Sequence, residues 1–597
     1  MTSQTPPPPT WDLADLYAAV DDPQLRHDME EIGQKASQFA HTYKGTIAVE
    51  GLAASHLRTG LDDYEALLRL GLRPQAYAML HYSTDTNDPA RGALLQRTRE
   101  FGSSMAALLV FFDLEIGQIP DATYDAVVAA ADLEPYRHYL EQQRRLAAHN
   151  LSEPEERVLA ETANARGNAF GRLFTEVHGR ARYQLQLDGE TQSMTQSQCL
   201  ALLHDVDRST RRTAAAALTA TLRENAHTCT FIYNTLLHEK DVLDRLRRFP
   251  RPEASRHLDN ELDAEVVATM TGVCVDNYAI VADYYDLKRR LLDVDALTHY
   301  DRYAPIAGSE SEVSFERARE LVLAAFADFS PRLQEMAEPF FAKRWIDAQL
   351  AEGKRGGAFC AGVTPDLHPY VLMNYTGRPR DVMTLAHELG HGVHDVLASD
   401  NHLLDYRPVL PLAETASTFA EMLVFDSLMA ALETPRERLA LVCGKVEDTF
   451  ATVFRQVAMF RFEQEAHQAR RERGELTTEA FSALWQDNIQ AMFGSSLELG
   501  DDHACWWLYI PHIISTPFYV YAYAFGELLV LSLYAQYQRE GAGFVDRYFD
   551  LLAAGGSRAP ADLVGTLGFD IADRQFWQGG CDLIRRRVEL AAELAVI

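Results

Sequence analysis

Apolar positions along this chain recur mostly at helical spacing. The stretch from Ser197 to Arg248 runs for about fifty residues without proline or glycine, which predicts one long helix or two consecutive ones. "SFERARELVLAAFADF" (314–329) and "DVMTLAHELGHGVHDVLA" (381–398) repeat the pattern. Alternation of the kind a strand needs is confined to two short runs. These are "RYQLQLDGE" (182–190), with Tyr183, Leu185 and Leu187 on one face, and "PYVLMNYTG" (369–377). The pattern therefore predicts a mostly α fold with a small sheet around 355–377. A polar cluster at 149–161 reads as a turn opening a new helix, and a break at 247–263 ends the long helical stretch. No internal repeat is found, and no low-complexity segment beyond a proline run at the N-terminus.

Composition narrows the class. The 597 residues are 47% hydrophobic and 24% charged, as in a folded protein, and this length implies two or more lobes or one large catalytic unit with insertions. With 56 basic against 86 acidic residues, the net charge of −30 argues against nucleic acid or an anionic membrane as a partner. Seven dispersed cysteines with no close pairing read as reduced thiols. The N-terminus has neither a basic start nor an apolar core, so no secretory signal is expected, and its prolines read as a solvated tail. The most membrane-like stretch, 513–534, carries Pro517 and Glu527 and lacks the run of about 20 uncharged residues a spanning helix needs. A cytoplasmic protein is the expectation; the sequence leaves the oligomeric state open, and a monomer is compatible with it.

One stretch carries chemistry. In "TLAHELGHGVHDVLA" (384–398), His387 and His391 stand four apart, which stacks them on one helical face and lets both imidazoles reach one metal ion. Glu388 points to the side of that pair, where it can hold a water without ligating the metal. A solvated helix rich in histidine has the same spacing, so the local pattern leaves both readings open. His394 does not fit an extended ligand motif, because leucine stands at 397, and reads as a supporting or packing histidine. A catalytic metal needs a third protein ligand. After Pro408 and Pro411, the next helix offers Glu414, 23 residues beyond His391, and Glu421 seven further on and on the same face. Glu414 is the expected ligand; Glu421 is the fallback, or an acceptor for a ligand imidazole N–H.

Two further segments stand out. Between 503 and 529 lie His503, His512, Tyr509, Tyr519, Tyr521 and Tyr523, with Tyr519 and Tyr523 one turn apart if helical. Such groups can donate to an oxyanion, although an aromatic core helix has the same composition. "GKRGGAFCAGVTPDLHPYVLMNYTG" (353–377) combines Gly356 and Gly357 with a strand whose edge could pair with an extended peptide.

Together these residues resemble the thimet oligopeptidase superfamily of zinc metallopeptidases, and most closely its oligoendopeptidase F branch. "TWDLADLY", "GNAFGRLFTE", "SRHLDNELDAEVV", "YDRYAP", "FFAKRWIDA", "GKRGGAF", "LAHELGHGVH", "LAETASTFAE" and "IPHIISTPFYVYAYAFGE" occur in that family's order along nearly the whole chain. The resemblance implies a two-lobed, mostly α body with a deep central channel and a small β-sheet beside the HExxH helix. It implies an N-terminal helical region (1–115), an oligoendopeptidase F-like N-terminal domain (116–195) and a zinc peptidase catalytic domain (196–597). It implies one zinc per chain on His387, His391 and Glu414, with Glu388 as general base. His512 and Tyr519, with Tyr523 as a further candidate, match the residues near the oxyanion, and Gly356, Gly357 and Ala358 match the substrate-pairing edge. The expected activity is endopeptidase cleavage of short oligopeptides. The alternatives are a dipeptidyl carboxypeptidase-type exopeptidase on the same fold and a non-catalytic peptide-binding protein. The chain departs from many relatives in carrying Ile513 and Ile514 after the loop histidine and glycine at 356.

Overall fold

The computed structural model describes residues 7–187, 189–306 and 312–596. The chain forms two compact units, each assembled from separated segments: one from Met1–Ala160, Ser311–Leu428 and Gln536–Phe569, the other from Glu161–Glu310, Met429–Ala535 and Asp570–Ile597.

The first unit opens with three long helices, Pro23–Tyr43, Ala54–Thr84 and Pro89–Gly117, packed side by side. Asp22 and Asp88 each start a helix by accepting backbone N–H groups that the first turn leaves unpaired, with proline at the next position. The shared core holds Phe39, Tyr43, Leu57, Leu61, Tyr64, Phe111 and Phe112. A second core joins Trp11, Tyr17, Leu25, Tyr77 and Leu94 to the sheet residues Tyr370 and Leu372. Residues 1–6 of the proline tail lie outside the described residues. Pro9 is docked, contrary to expectation, because its carbonyl accepts from Ala348 (2.8 Å) and Gln349 (3.3 Å).

The second unit holds a hairpin of β1 (Tyr183–Leu187) and β2 (Glu190–Met194), where the alternation was legible. Tyr183 and Leu185 are fully buried, and β1 lies against the helix Arg208–Leu246. The stretch 197–248 is thus one 39-residue helix preceded by a short one, Gln196–Ala201. The break falls where Asp207 turns its carboxylate onto the Thr210 N–H (2.8 Å) and caps the long helix. Helix Tyr521–Glu540, the stretch read as most membrane-like, is an interior helix buried from Tyr521 to Tyr534 except at Tyr523. Among the described residues, the segment Ala264–Leu291 is long and apolar enough to span a membrane, and more than half of its most apolar stretch is buried inside the protein. All seven cysteines are free thiols, and only Cys360 is not fully buried.

The small sheet belongs to the first unit and starts earlier than the 355–377 window. β3 (Ile346–Asp347) runs parallel to β5 (Tyr370–Leu372), and β4 (Phe359–Ala361) pairs antiparallel with β5's other side, so β4 is an edge strand. β4 and β5 both lie against the helix Pro379–Ala398. Lys354 organises the connection between β3 and β4. Its buried ammonium donates to Asp347 Oδ1 (2.5 Å) and to the carbonyls of Gln349 and Met373 (2.8 Å each). Asn374 then donates to the Arg355 and Gly357 carbonyls, and Gly357 takes the left-handed φ of +82° that the turn requires. Lys354 and Asp347 are 1% and 7% exposed, so Lys354→Met leaves a buried carboxylate without its cation. That costs roughly 3–5 kcal/mol, read as an early unfolding transition in urea; an unchanged denaturation curve would show that the pair is dispensable.

Candidate metal centre

Helix Pro379–Ala398 begins where Asp381 collects three donors, the N–H and hydroxyl of Thr376 (2.7 Å each) and the Arg378 N–H (3.1 Å), with Pro379 at its first position. Two turns on, His387 and His391 stack on one face with ring centroids 4.9 Å apart. Glu414 is the residue just ahead of the helix Thr415–Ala431, and its Oε2 lies 3.3 Å from the Nε2 of each histidine. Ser417 fixes it there by donating to the same Oε2 (2.8 Å). The three ligand atoms lie within 4.8 Å of one another, the one such group among the described residues.

Glycine makes this approach possible. A Cβ on Gly390 would lie 2.6 Å from both the Ala416 carbonyl oxygen and Ser417 Cα, so a side chain there would push the Glu414 helix away. Gly392 serves the other side, where the Phe340 ring fills the place a side chain would take. Neither glycine stands out in the sequence pattern.

Glu421 takes the supporting role of its two expected alternatives: its Oε1 accepts from His387 Nδ1 at 2.6 Å, which turns Nε2 towards Glu414. Burial would lower His387's pKa, but the hydrogen bonds to Glu414 and Glu421 hold it well above the usual imidazole range. Burial would raise Glu414, yet its two histidine partners hold it well below the usual carboxylate range. Each group is thus shifted towards its charged form around a spot that a cation suits. The spacing suits zinc too: tetrahedral nitrogen and oxygen ligands at about 2.0–2.2 Å stand roughly 3.3–3.6 Å apart.

Glu388 is 5% exposed, and burial pushes its carboxyl above the usual range against the pull of His387 and His391. His394 is buried one turn beyond His391 and bonds to the Leu552 backbone, as a packing histidine does. Asp395, one turn beyond His391, carries no motif that would mark it in the sequence; burial pushes its carboxyl up to about 6, with Arg407 opposing.

In the second unit His512 opens a single helical turn, His512–Ser515, after Pro511. Its ring lies 6.3 Å from Tyr519 and 5.9 Å from Tyr523, and the two tyrosine rings are 4.9 Å apart. Tyr519 is not helical, so the one-turn spacing to Tyr523 that a helix would give does not hold. Phe518 adopts a φ of +58° and gives its N–H to Glu463 (2.9 Å), so the helix starts only at Tyr521. Burial first, then the Arg455 charge, lowers the His512 pKa and leaves a neutral imidazole near pH 7. His503 is a core residue, fully buried between Trp485 and Trp506.

A helix bearing His-Glu-x-x-His, completed by a glutamate from the next helix in a mostly α body, defines a metallopeptidase. The sequence profile of Peptidase family M3 matches residues 201–583 and that of Oligopeptidase F residues 115–183, and the chain belongs to Peptidase family M3. It is 25% identical over 591 residues to the oligopeptidase PepF of Bacillus subtilis (strain 168), covering 98% of this chain and 87% of that one. It is 25% identical over 589 residues to the oligoendopeptidase F homolog of Borreliella burgdorferi, covering 97% of each. The crystal structure of oligoendopeptidase-F from Enterococcus faecium has a TM-score of 0.74 at 22% identity, over 96% of this chain and 98% of that one. A protein of known crystal structure from Chlamydophila abortus reaches 0.86 at 23% identity, over 98% of both chains. The chain is a metalloendopeptidase acting on peptides.

Glu421→Gln keeps an acceptor for His387 but removes the charge behind it. Zinc affinity should fall roughly 10–100-fold, measured by competition with a chromophoric chelator; unaltered affinity would reduce Glu421 to a packing residue.

Proposed function

We propose that this protein is a zinc-dependent endopeptidase of short oligopeptides in which Glu388 is the general base. The convergence of His387, His391 and Glu414 at ligand spacing, with Glu388 one residue along the same helix, carries this reading. A zinc ion held by these three would supply Lewis-acid polarisation of the scissile carbonyl and acidify a water at its open position. Glu388 takes the proton from the attacking water and passes it to the leaving amine. Its low exposure keeps bulk water from competing for that proton. Glu421 holds His387 in the tautomer that presents Nε2.

His512 and Tyr519 are assigned as neutral donors to the developing oxyanion, with Tyr523 behind them. Their support is the resemblance, the clustering of the three rings and the neutrality of His512. Tyr523's hydroxyl lies 3.5 Å from His512 Nε2, the range of a weak orienting contact. The peptide is held in extended form along the outer edge of β4, entered through Gly356, Gly357 and Ala358. No strand among the described residues covers that edge, and it adjoins the HExxH helix. Seven free thiols support a reducing, cytoplasmic setting.

Glu388→Gln should retain one zinc per chain by metal analysis while kcat on a quenched, end-blocked peptide falls at least a hundredfold. Turnover at the wild-type rate would remove Glu388 from the role of base. Tyr519→Phe should lower kcat by roughly 10²–10³ with little change in KM; an effect on KM alone would make Tyr519 a binding residue instead.

A further inference from the structure

Among the described residues, five other than glycine take a positive φ: Arg248, Glu261, Asp293, Arg344 and Phe518. The first four each stand two places beyond the last residue of a helix, where a left-handed residue commonly ends the helix. Phe518, at +58°, has no such reason. It is bulky and fully buried, and it lies between the single turn His512–Ser515 and the start of helix Tyr521–Glu540. For such a side chain this conformation is an outlier, and it persists only where the surroundings impose it.

The surroundings that impose it come from two helices of the same unit. Glu463, fully buried on helix Phe454–Arg473, accepts the Phe518 N–H on Oε1 at 2.9 Å. Arg256, on the short helix Ala254–Asp259, donates from Nε to the Pro517 carbonyl at 3.4 Å. These are the two polar ends of one peptide unit, so together the bonds fix how that unit is turned. The Phe518 ring is wedged between Phe460 (6.0 Å) and His467 (4.7 Å). Three places on, the Tyr521 hydroxyl meets Asn260 (2.7 Å) and His257 Nδ1 (3.0 Å).

Between these anchors Tyr519 is the one residue of 518–522 that is not buried. No hydrogen bond among the described residues holds its hydroxyl, so the backbone and the contacts of its ring with His512 and Tyr523 aim it. Glu463 makes its bond at an unusual cost. Its Oε2 is buried without a partner, and burial pushes its carboxyl up to about 8 against the Phe518 N–H and the Arg256 charge. Near neutral pH it therefore serves as a carbonyl acceptor, a role an amide can fill. We propose that Glu463 is a positioning residue for Tyr519: with Arg256 it holds the Pro517–Phe518 peptide unit in the left-handed turn that sets the phenol beside His512. This rests on the assignment of Tyr519 to the reaction, and deepens it by naming what aims the phenol.

The test uses the full-length zinc-loaded protein and the quenched, end-blocked peptide. Glu463→Gln keeps a carbonyl acceptor at the same reach, and its kcat should stay within about twofold of wild type. Glu463→Asp keeps the acid but draws it back by a methylene; kcat should fall roughly 10–100-fold, with KM and zinc content little changed. In a Tyr519→Phe background the same change should lower kcat by less than about twofold, because the group it aims is gone. Full kcat in Glu463→Asp overturns the proposal, as does an effect on KM alone. A loss that persists in full in Tyr519→Phe overturns it too, and so does a Glu463→Gln as impaired as Glu463→Asp. A second readout needs no turnover. Fluorotyrosine placed at 519 gives a fluorine resonance that should move in Glu463→Asp and return in Glu463→Gln; a resonance unmoved in Glu463→Asp overturns the positioning role. If Tyr519→Phe turns over at the wild-type rate, the assignment of Tyr519 to the oxyanion fails, and this resonance still decides whether Glu463 aims the ring. Should Glu463→Asp not fold, Arg256→Met, which frees the carbonyl end of the same peptide unit, takes its place in the kcat, double-variant and fluorine measurements.

Discussion

The site depends on how closely two helix backbones can come. One helix can offer two imidazoles at i and i+4, but the third ligand must come from elsewhere, and a glutamate side chain has limited reach. Gly390 sits between the two histidines, and the place where its Cβ would be is 2.6 Å from the backbone of Ala416 and Ser417. A glycine inside a helix costs up to about 1 kcal/mol relative to alanine. Here the cost is offset by contact that carries Glu414 to within 3.3 Å of both imidazoles and Glu421 to within 2.6 Å of His387. Gly392, filled by Phe340, pins the same helix from a second direction.

Electrostatics depend on that proximity. Once Glu414 and Glu421 are brought to His387, the low-dielectric surroundings sharpen every interaction among them. Without a cation, the histidine holds a proton that its burial alone would expel, and the carboxylates stay ionised against theirs. A metal ligand must be a neutral imidazole, so a metal held here would displace that proton and couple site loading to pH. The second unit takes the opposite course. At His512, burial and then the Arg455 charge lower the imidazole's pKa, which suits the neutral donor role proposed for it.

How far the sequence was legible depended on the range of the interaction. His387, Glu388 and His391 announce themselves because helical spacing is local. Glu414 was within reach because it stands just ahead of the next long helix, past a connection that Pro408 and Pro411 mark in the sequence. For Glu421 the spacing gave the face but not the atom it meets, which a heptad interval cannot specify. Gly390 and Gly392 were invisible, since their reason is a neighbour's backbone or ring. Among strands, β1 showed its alternation, while β3, with two residues, is too short to show any. Whether Tyr519 is helical was not legible, because Phe518's positive φ goes with a bond to Glu463, 55 residues earlier. Nor does any composition shift reveal that each unit is assembled from three separated segments.

The edge strand suits the peptide-binding role proposed for it. A peptide paired along β4 would be engaged through its main chain, which every sequence carries, so such pairing would bring affinity without preference for side chains. Lys354 and Asn374 make that edge rigid from behind, so less ordering is left for the moment of binding. An edge of this kind cannot by itself distinguish a short peptide from an extended segment within a longer chain.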